Sequence, residues 1–167
     1  MKRILLILTC LCFILFSGCK KENEPIKPIT TNISFVAEIS HNGICNKYNV
    51  KIDKNSNTEL EAIDNGLNGL SLYFSGDEIT EKFNKLEHKF KVSSLPQGVI
   101  TDFIHSVFLT ATKDNHDIET ENEQYIIKGE NNRYSFKIYL GQSGLPIKIE
   151  DKKNDIKVII KNASIYS

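Results

Sequence analysis

Residues 33–52, ISFVAEISHNGICNKYNVKI, decide the fold class of this chain. Apolar residues occupy every second position from Ile33 to Ile39 and again from Tyr48 to Ile52. This alternation predicts two β-strands that each bury one face. His41-Asn42-Gly43 separates them, and Asn-Gly is typical of a tight hairpin turn. The stretch therefore predicts an antiparallel pair of strands joined by a short turn.

The same alternation recurs along both halves of the chain, between segments rich in turn-forming residues. It predicts further strands at residues 59–62, 70–74, 79–83, 125–127, 134–140, 145–149 and 156–160, with a short strand at 89–92. Because each connection is short and local, the strands are expected to form an antiparallel meander of about nine or ten strands.

One segment has a different period. Apolar residues from Val99 to Phe108 recur at spacings of three and four, the pattern of an amphipathic helix. Ser93 or Ser94 is placed to cap this helix, and Pro96 suits its first turn. We expect the helix to run from about Pro96 to Thr112, with its histidine, His105, toward the polar side. The polar and acidic residues 113–122 are predicted to form a loop.

These elements predict an α+β fold that is mainly antiparallel β, a curved half-barrel sheet wrapped on one helix. A helix of about 16 residues is roughly 24 Å long, whereas nine or ten strands span roughly 40 Å. Either the sheet curls until its core is filled, or an apolar groove stays open. We expect an open groove to be lined by Phe35, Tyr48, Leu72, Phe74, Phe103, Val107, Phe136 and Ile138.

The N-terminal segment predicts export. Lys2 and Arg3 precede an apolar run, Ile4 to Phe16, of 13 residues, which is shorter than the roughly 20 that span a bilayer. Leu15-Phe16-Ser17-Gly18-Cys19 follows the pattern of a signal peptidase site and resembles the lipobox of bacterial lipoproteins. An ordinary signal peptide cut elsewhere, or an uncleaved anchor, is the alternative.

The lipobox resemblance implies that the thiol of Cys19 receives a diacylglyceryl group and that the chain is cut just before it. It divides the chain into a signal peptide at 1–18, a lipidated cysteine with a flexible tether at 19–31, and a β domain at 32–167. The domain is then expected on the extracytoplasmic side of a bacterial membrane. Lys20 in place of Asp after the cysteine favours the outer membrane in a cell with two membranes.

Charge and cysteine content narrow the function classes. The chain carries 21 basic and 21 acidic residues. Removal of Lys2 and Arg3 would leave 19 against 21 and a net charge of −2, so nucleic acid is not an expected partner. Cys45 would be the one thiol left after processing, and we expect it to be a buried or half-buried strand residue. A nucleophilic pair of Cys45 with His41 is the alternative.

No catalytic or transition-metal motif is present in the sequence. The stretch from Asp53 to Asp64 partly matches a calcium-binding loop, but Thr58 stands where such a loop requires glycine. An Asx-rich hairpin turn is the preferred interpretation. The sequence therefore predicts no enzyme activity, no metal and no cofactor.

Three short segments lie among the predicted strands and the helix: Gly69-Leu70-Ser71-Leu72, Ser94-Leu95-Pro96 and Gly144-Leu145-Pro146. Together with the strand–helix–strand order, they resemble the LolA-like superfamily of lipoprotein carriers. The resemblance covers about residues 33–162. It implies an unclosed barrel whose concave face is covered by a helix and holds acyl chains. A chain tethered through Cys19 could not shuttle as those carriers do.

The combined patterns predict a membrane-anchored envelope lipoprotein that is not an enzyme. Its expected ligand is a lipid or another apolar molecule, or an envelope protein, at the concave face of the sheet. The alternative function is a protein–protein interaction module with a filled core, which docks a partner through a sheet edge or through the acidic residues 113–122.

Overall fold

The computed structural model describes residues 32–64, 66–95, 100–113, 118–122 and 124–166. The predicted signal peptide, the tether and Cys19 lie outside these residues. Pro96 and the predicted first turn of the helix also lie outside them. Within the described ranges, no helix has the length and apolar character needed to cross a membrane.

The described residues form strands, one turn of 3-10 helix at Val92–Ser94 and one α-helix, α1, at Ile100–Lys113. The strands are β1 (Ile33–His41), β2 (Ile44–Ile52), β3 (Thr58–Ala62), β4 (Leu70–Ser75), β5 (Glu78–Phe83), β6 (Leu86–Lys91), β7 (Ile118–Glu121), β8 (Gln124–Glu130), β9 (Ser135–Leu140), β10 (Pro146–Asp151) and β11 (Ile156–Ile165).

The strands form one sheet in the order β6-β5-β4-β3-β2-β1-β11-β10-β9-β8-β7. Every neighbouring pair is antiparallel. All pairs are sequential in the chain except β1 with β11, which meet at the centre of the sheet. The two edges, β6 and β7, are not joined, so the sheet is unclosed. The predicted fold class is confirmed.

The sheet curves around α1. The helix contacts both β3 and β8, which lie six strand positions apart, a distance of roughly 29 Å in a flat sheet. Aromatic contacts join the helix to strands between these two. Phe108 of α1 stacks on Phe35 of β1 at 5.7 Å between ring centroids, and Phe103 meets Tyr134, just before β9, at 5.0 Å. One helix reaches these strands because the sheet is concave toward it.

Apolar side chains from the concave face and α1 form one hydrophobic core. The eight residues that we expected to line a groove all belong to it, with exposed fractions of 0–7%. These eight residues pack within the core. Their role in ligand binding stays a prediction.

Strand β7 was not expected. Residues 118–121 were predicted as part of an acidic loop, but they pair with β8, where Ile118 lies opposite Ile127. Two acids of β7 form ion pairs with other strands, Glu119 with Lys128 of β8 at 2.6 Å and Glu121 with Lys137 of β9 at 2.9 Å. Ile118 is the one apolar residue of this strand, so no alternation of apolar and polar residues marks it in the sequence.

Candidate functional site

The concave face is open at one end, beside the β5–β6 hairpin. A cleft of about 540 Å³ lies there, which we call the concave-end cleft. Its apolar lining includes Phe83 and Leu86, of which 42% and 74% of the surface is exposed. The full lining is Gly66, Leu67, Leu70, Glu81, Phe83, Leu86, Glu87 and His88.

Strand register places the apolar residues of the cleft in one row. Leu70 of β4 lies opposite Phe83 of β5, and Phe83 lies opposite Leu86 of β6. Side chains opposite one another in a sheet share a face. Leu70 alternates with the buried Leu72 and Phe74 along β4. The row Leu70–Phe83–Leu86 is therefore on the concave face and continues the core outward.

The neighbouring row supplies the polar part of the cleft. Glu81 and His88 lie opposite each other, next to Leu72. At the far end of β6 the face is covered, because Phe90 and Val92 pack against the core together with Leu95. The cleft is therefore apolar on one side, and its polar side carries a carboxylate and an imidazole.

A turn before β4 sets one wall of the cleft. The backbone N–H of Leu67 donates to the carbonyl of Asp64, and the N–H of Leu70 donates to that of Leu67, both at 3.0 Å. Gly69 ends the turn with φ +89°, a conformation that L-residues rarely adopt. A Cβ at Gly69 would also lie 3.0 Å from Oδ1 of Asn84 in the β5–β6 turn. The turn thus packs closely against that hairpin, and it places Leu67 over the core.

None of the apolar residues of this cleft was among the predicted groove residues. The one signal in the sequence was the Asn84-Lys85 turn, which fixes the β5–β6 register. The register of the strands does not show which residues of the concave face the helix leaves uncovered.

A buried polar network holds α1 at its N-terminal end, and we call it the Asp102 network. Asp102 is fully buried. Its Oδ2 accepts hydrogen bonds from Nη1 of Arg133 at 2.5 Å and from the hydroxyl of Tyr134 at 3.2 Å, and its Oδ1 accepts one from Ser106. Nη2 of Arg133 donates to the carbonyls of Val92 and Leu95. The network joins the helix, the β8–β9 turn and the segment before the helix.

His105 is buried, with 2% of its surface exposed, so its predicted position on the polar side of the helix is wrong. Its Nδ1 lies 3.1 Å from the hydroxyl of Thr58, and its ring stacks on Phe74 at 5.0 Å between centroids. These contacts come from β3 and β4, which pack over the side of α1 that carries His105. The histidine packs within the core.

Two sequence alternatives concern Asp53, in a calcium loop or an Asx turn, and Cys45, as a buried residue or a partner of His41. Asp53 accepts hydrogen bonds from the backbone N–H groups of Asn55 and Asn57 at 2.8 and 2.9 Å, as in an Asx turn. Cys45 is exposed, so the expectation of a buried residue is wrong. It lies opposite Ser40, whereas His41 lies opposite Ile44. Since successive residues point to opposite faces, the thiol and imidazole do not form a pair.

Among the residues that the structure describes, no three or more His, Cys, Asp or Glu side chains lie together where they could hold a metal ion.

A second cleft, of about 640 Å³, lies at β8, β9, β10 and the turn after β10, and Phe136, one of the eight predicted groove residues, is part of its lining. It is lined by Lys128, Gly129, Glu130, Ser135, Phe136, Lys137, Glu150, Lys152 and Lys153. Its lysines are partly neutralised, since Lys128 and Lys137 form the ion pairs with β7 described above. Beside it, the ammonium group of Lys148 lies 3.6 Å from the centroid of the Tyr139 ring and 3.0 Å from a carboxylate oxygen of Glu150.

Tyr139 and Tyr134 predict a loss of stability in alkali. Burial, with the neighbouring Glu150 carboxylate that accepts the phenol's hydrogen bond, raises the pKa of Tyr139 to about 12. Burial and Asp102 raise the pKa of Tyr134 as well. Above about pH 10, where an unperturbed tyrosine ionises, the unfolded chain therefore binds fewer protons than the folded one. The free energy of unfolding is expected to fall as pH rises from there.

Urea unfolding between pH 9 and pH 12 measures this slope. Tyr139→Phe removes one of the tyrosines with a raised pKa and is expected to make the fall less steep. A slope in Tyr139→Phe that matches the parent protein would contradict the assignment.

Comparisons with known proteins give structural similarity and no sequence match. No protein family model matches the chain, and no curated protein matches it. The fold is similar to that of a LolA superfamily protein from Nitrosomonas europaea, with a TM-score of 0.49, 12% identity, and coverage of 89% of this chain and 91% of that one. The fold is also similar to that of a DUF1329 family protein from Desulfovibrio piger, with a TM-score of 0.45, 12% identity, and coverage of 86% of this chain and 88% of that one.

A third structure, PNGF-II, gives a TM-score of 0.39 at 12% identity and matches 82% of this chain but only 29% of its own length. Similarity at this level concerns the outline of the fold and carries no information about a ligand.

Proposed function

We propose that this protein is a binding protein rather than an enzyme, and that it holds the apolar part of a lipid in the concave-end cleft. Acyl chains on Cys19 would keep it on the extracytoplasmic side of a bacterial membrane, the outer membrane where there are two. The observation that carries the proposal is the row Leu70–Phe83–Leu86, an extension of the core that the protein's own helix leaves exposed.

The size and chemistry of the cleft support a small apolar ligand. Its volume of about 540 Å³ is within the range of roughly 300–1,000 Å³ that is typical of small-molecule sites. Each CH₂ group that a ligand buries contributes about 0.8 kcal/mol. The imidazole of His88 and the carboxylate of Glu81 lie beside the apolar row, where they could contact the polar end of a lipid.

Native mass spectrometry of the acyl-free chain from Lys20 tests this proposal. The protein is incubated with palmitoyl-oleoyl phosphatidylethanolamine, and bound lipid is measured for matched variants. Phe83→Glu places a carboxylate in the apolar row and is expected to weaken binding by about tenfold or more. Tyr73→Glu is the control, because Tyr73 is 43% exposed, against 42% for Phe83, but lies on the convex face of the neighbouring strand.

Equal binding by the two variants, or no bound lipid on the parent protein, would reject the lipid site. The second result would favour the alternative function, a protein–protein interaction module. The burial of the eight predicted groove residues in the core supports that alternative. The ion pairs of Glu119 and Glu121 argue that the acids of β7 serve the sheet rather than a partner.

A further inference from the structure

Strand β6 forms one edge of the sheet and exposes backbone groups that can bind another strand. The β5–β6 turn has two residues, so Phe83 and Leu86 form its closing hydrogen-bonded pair. The N–H and C=O groups of residues 86, 88 and 90 therefore face β5. Those of Glu87, Lys89 and Lys91 point away from the sheet, where no described strand pairs with them.

We propose that β6 pairs with β6 of a second copy of this chain, antiparallel and centred on Lys89. This register places Glu87 of each copy opposite Lys91 of the other, and Lys89 opposite itself. The outward N–H and C=O groups of Glu87 and Lys89, with the N–H of Lys91, would close four hydrogen bonds between the two copies. The carbonyl of Lys91 already accepts a hydrogen bond from the hydroxyl of Ser94 at 2.6 Å.

The side chains of β6 are self-complementary in this register. On the convex face, each Glu87 carboxylate meets the Lys91 ammonium group of the second copy, which gives two oppositely charged pairs. On the concave face, His88 lies opposite Phe90 of the second copy, which matches the stacked pair that these two rings already form within one chain at 5.6 Å. Opposite charges and aromatic pairs are the combinations that stabilise facing strands.

The same register covers part of the exposed apolar surface. Leu86, 74% exposed, is the first residue of β6 and would lie beside the second copy at the end of the interface. The one unfavourable contact is Lys89 with itself. Each Lys89 already has a partner in its own chain, since its ammonium group lies 3.5 Å from a carboxylate oxygen of Glu78.

Disulfide cross-linking of the full-length protein in the bacterial envelope tests this pairing. Cys45 is replaced by serine throughout to remove its exposed thiol. In a hydrogen-bonded antiparallel pair, facing Cα atoms are about 5.5 Å apart, within the disulfide range of about 4.4–6.8 Å. Lys89→Cys is therefore expected to give a covalent species of twice the monomer mass on non-reducing gels. Lys82→Cys, also exposed but on β5, is the matched control and is expected to stay monomeric.

A charge exchange tests the register. Added to Lys89→Cys, Glu87→Lys is expected to lower the cross-linked fraction about tenfold, because two attractive pairs become repulsive. Adding Lys91→Glu as well restores opposite charges and is expected to restore the cross-link. Glu87→Cys combined with Lys91→Cys tests the same register independently, because the register places these two positions opposite each other in the two copies.

Cross-linking of Lys82→Cys to the same extent as Lys89→Cys would overturn the proposal. So would a loss caused by Glu87→Lys that Lys91→Glu does not reverse. Cross-linked species of other masses would show that β6 binds a different protein, and would also overturn it. None of these results depends on lipid binding, so this test and that of the proposed function are separate.

Discussion

Replacing Arg133 by methionine is expected to lower the free energy of unfolding by about 3–5 kcal/mol, as is usual when one partner of a buried ion pair is lost. Asp102 is fully buried and 2.5 Å from Nη1 of Arg133. Without the guanidinium, its carboxylate would keep, among the described residues, the hydroxyl groups of Tyr134 and Ser106 as donors. The carbonyls of Val92 and Leu95 would also lose a donor. Urea unfolding at neutral pH measures the change.

Two further variants separate the network from a general effect of removing a charge. Lys51→Met removes a solvent-exposed ion pair, 3.9 Å from Glu59, and is expected to cost less than about 1 kcal/mol. Asp102→Asn added to Arg133→Met removes the uncompensated charge and is expected to recover part of the loss. A cost for Arg133→Met no larger than that for Lys51→Met would contradict the role assigned to the network.

Cys19→Ser is expected to abolish membrane attachment. The hydroxyl cannot accept the diacylglyceryl group, so the variant would stay an unprocessed precursor or be released from the membrane. Each buried CH₂ of an acyl chain contributes about 0.8 kcal/mol, and two or more chains are needed for stable attachment. Membrane fractionation, with the mass of the mature N-terminus, measures both processing and attachment.

Cys45→Ser is the matched control for that experiment, and it is expected to leave processing and fractionation unchanged. Normal processing of Cys19→Ser together with unchanged partition into the membrane would contradict lipid anchoring. Processing of Cys19→Ser at another position would instead support an ordinary signal peptide.

The strands were predictable because each turn fixes a register locally. Asn42-Gly43 between two alternating runs was sufficient to predict β1 and β2, and the buried Tyr48, Val50 and Ile52 follow the expected face. The helix α1 was also predictable, because its apolar spacing is local. Its described end at Lys113 is one residue beyond the predicted Thr112.

Features that depend on distant partners were not predictable. His105 contacts Thr58, 47 residues earlier in the chain, so its helical position alone suggested the wrong side. Arg133 and Asp102 are 31 residues apart, and neither belongs to a motif. The concave-end cleft depends on how far a curved sheet extends beyond its helix. The comparison of helix length with sheet width left open whether the core is filled or a groove remains.

The central position of β1 and β11 has a consequence for how the chain folds. The hydroxyls of Ser34 and Ser164 lie 3.1 Å apart although 130 residues separate them, whereas every other strand pair is a neighbour in the chain. Strands β1–β6 and strands β7–β11 can therefore each form a ribbon rapidly through local pairings. The β1–β11 pairing that joins the two ribbons forms only after β11 has been synthesised. Until then β1 is a second unpaired edge of the β1–β6 ribbon, and its free backbone groups are open to pairing with other chains.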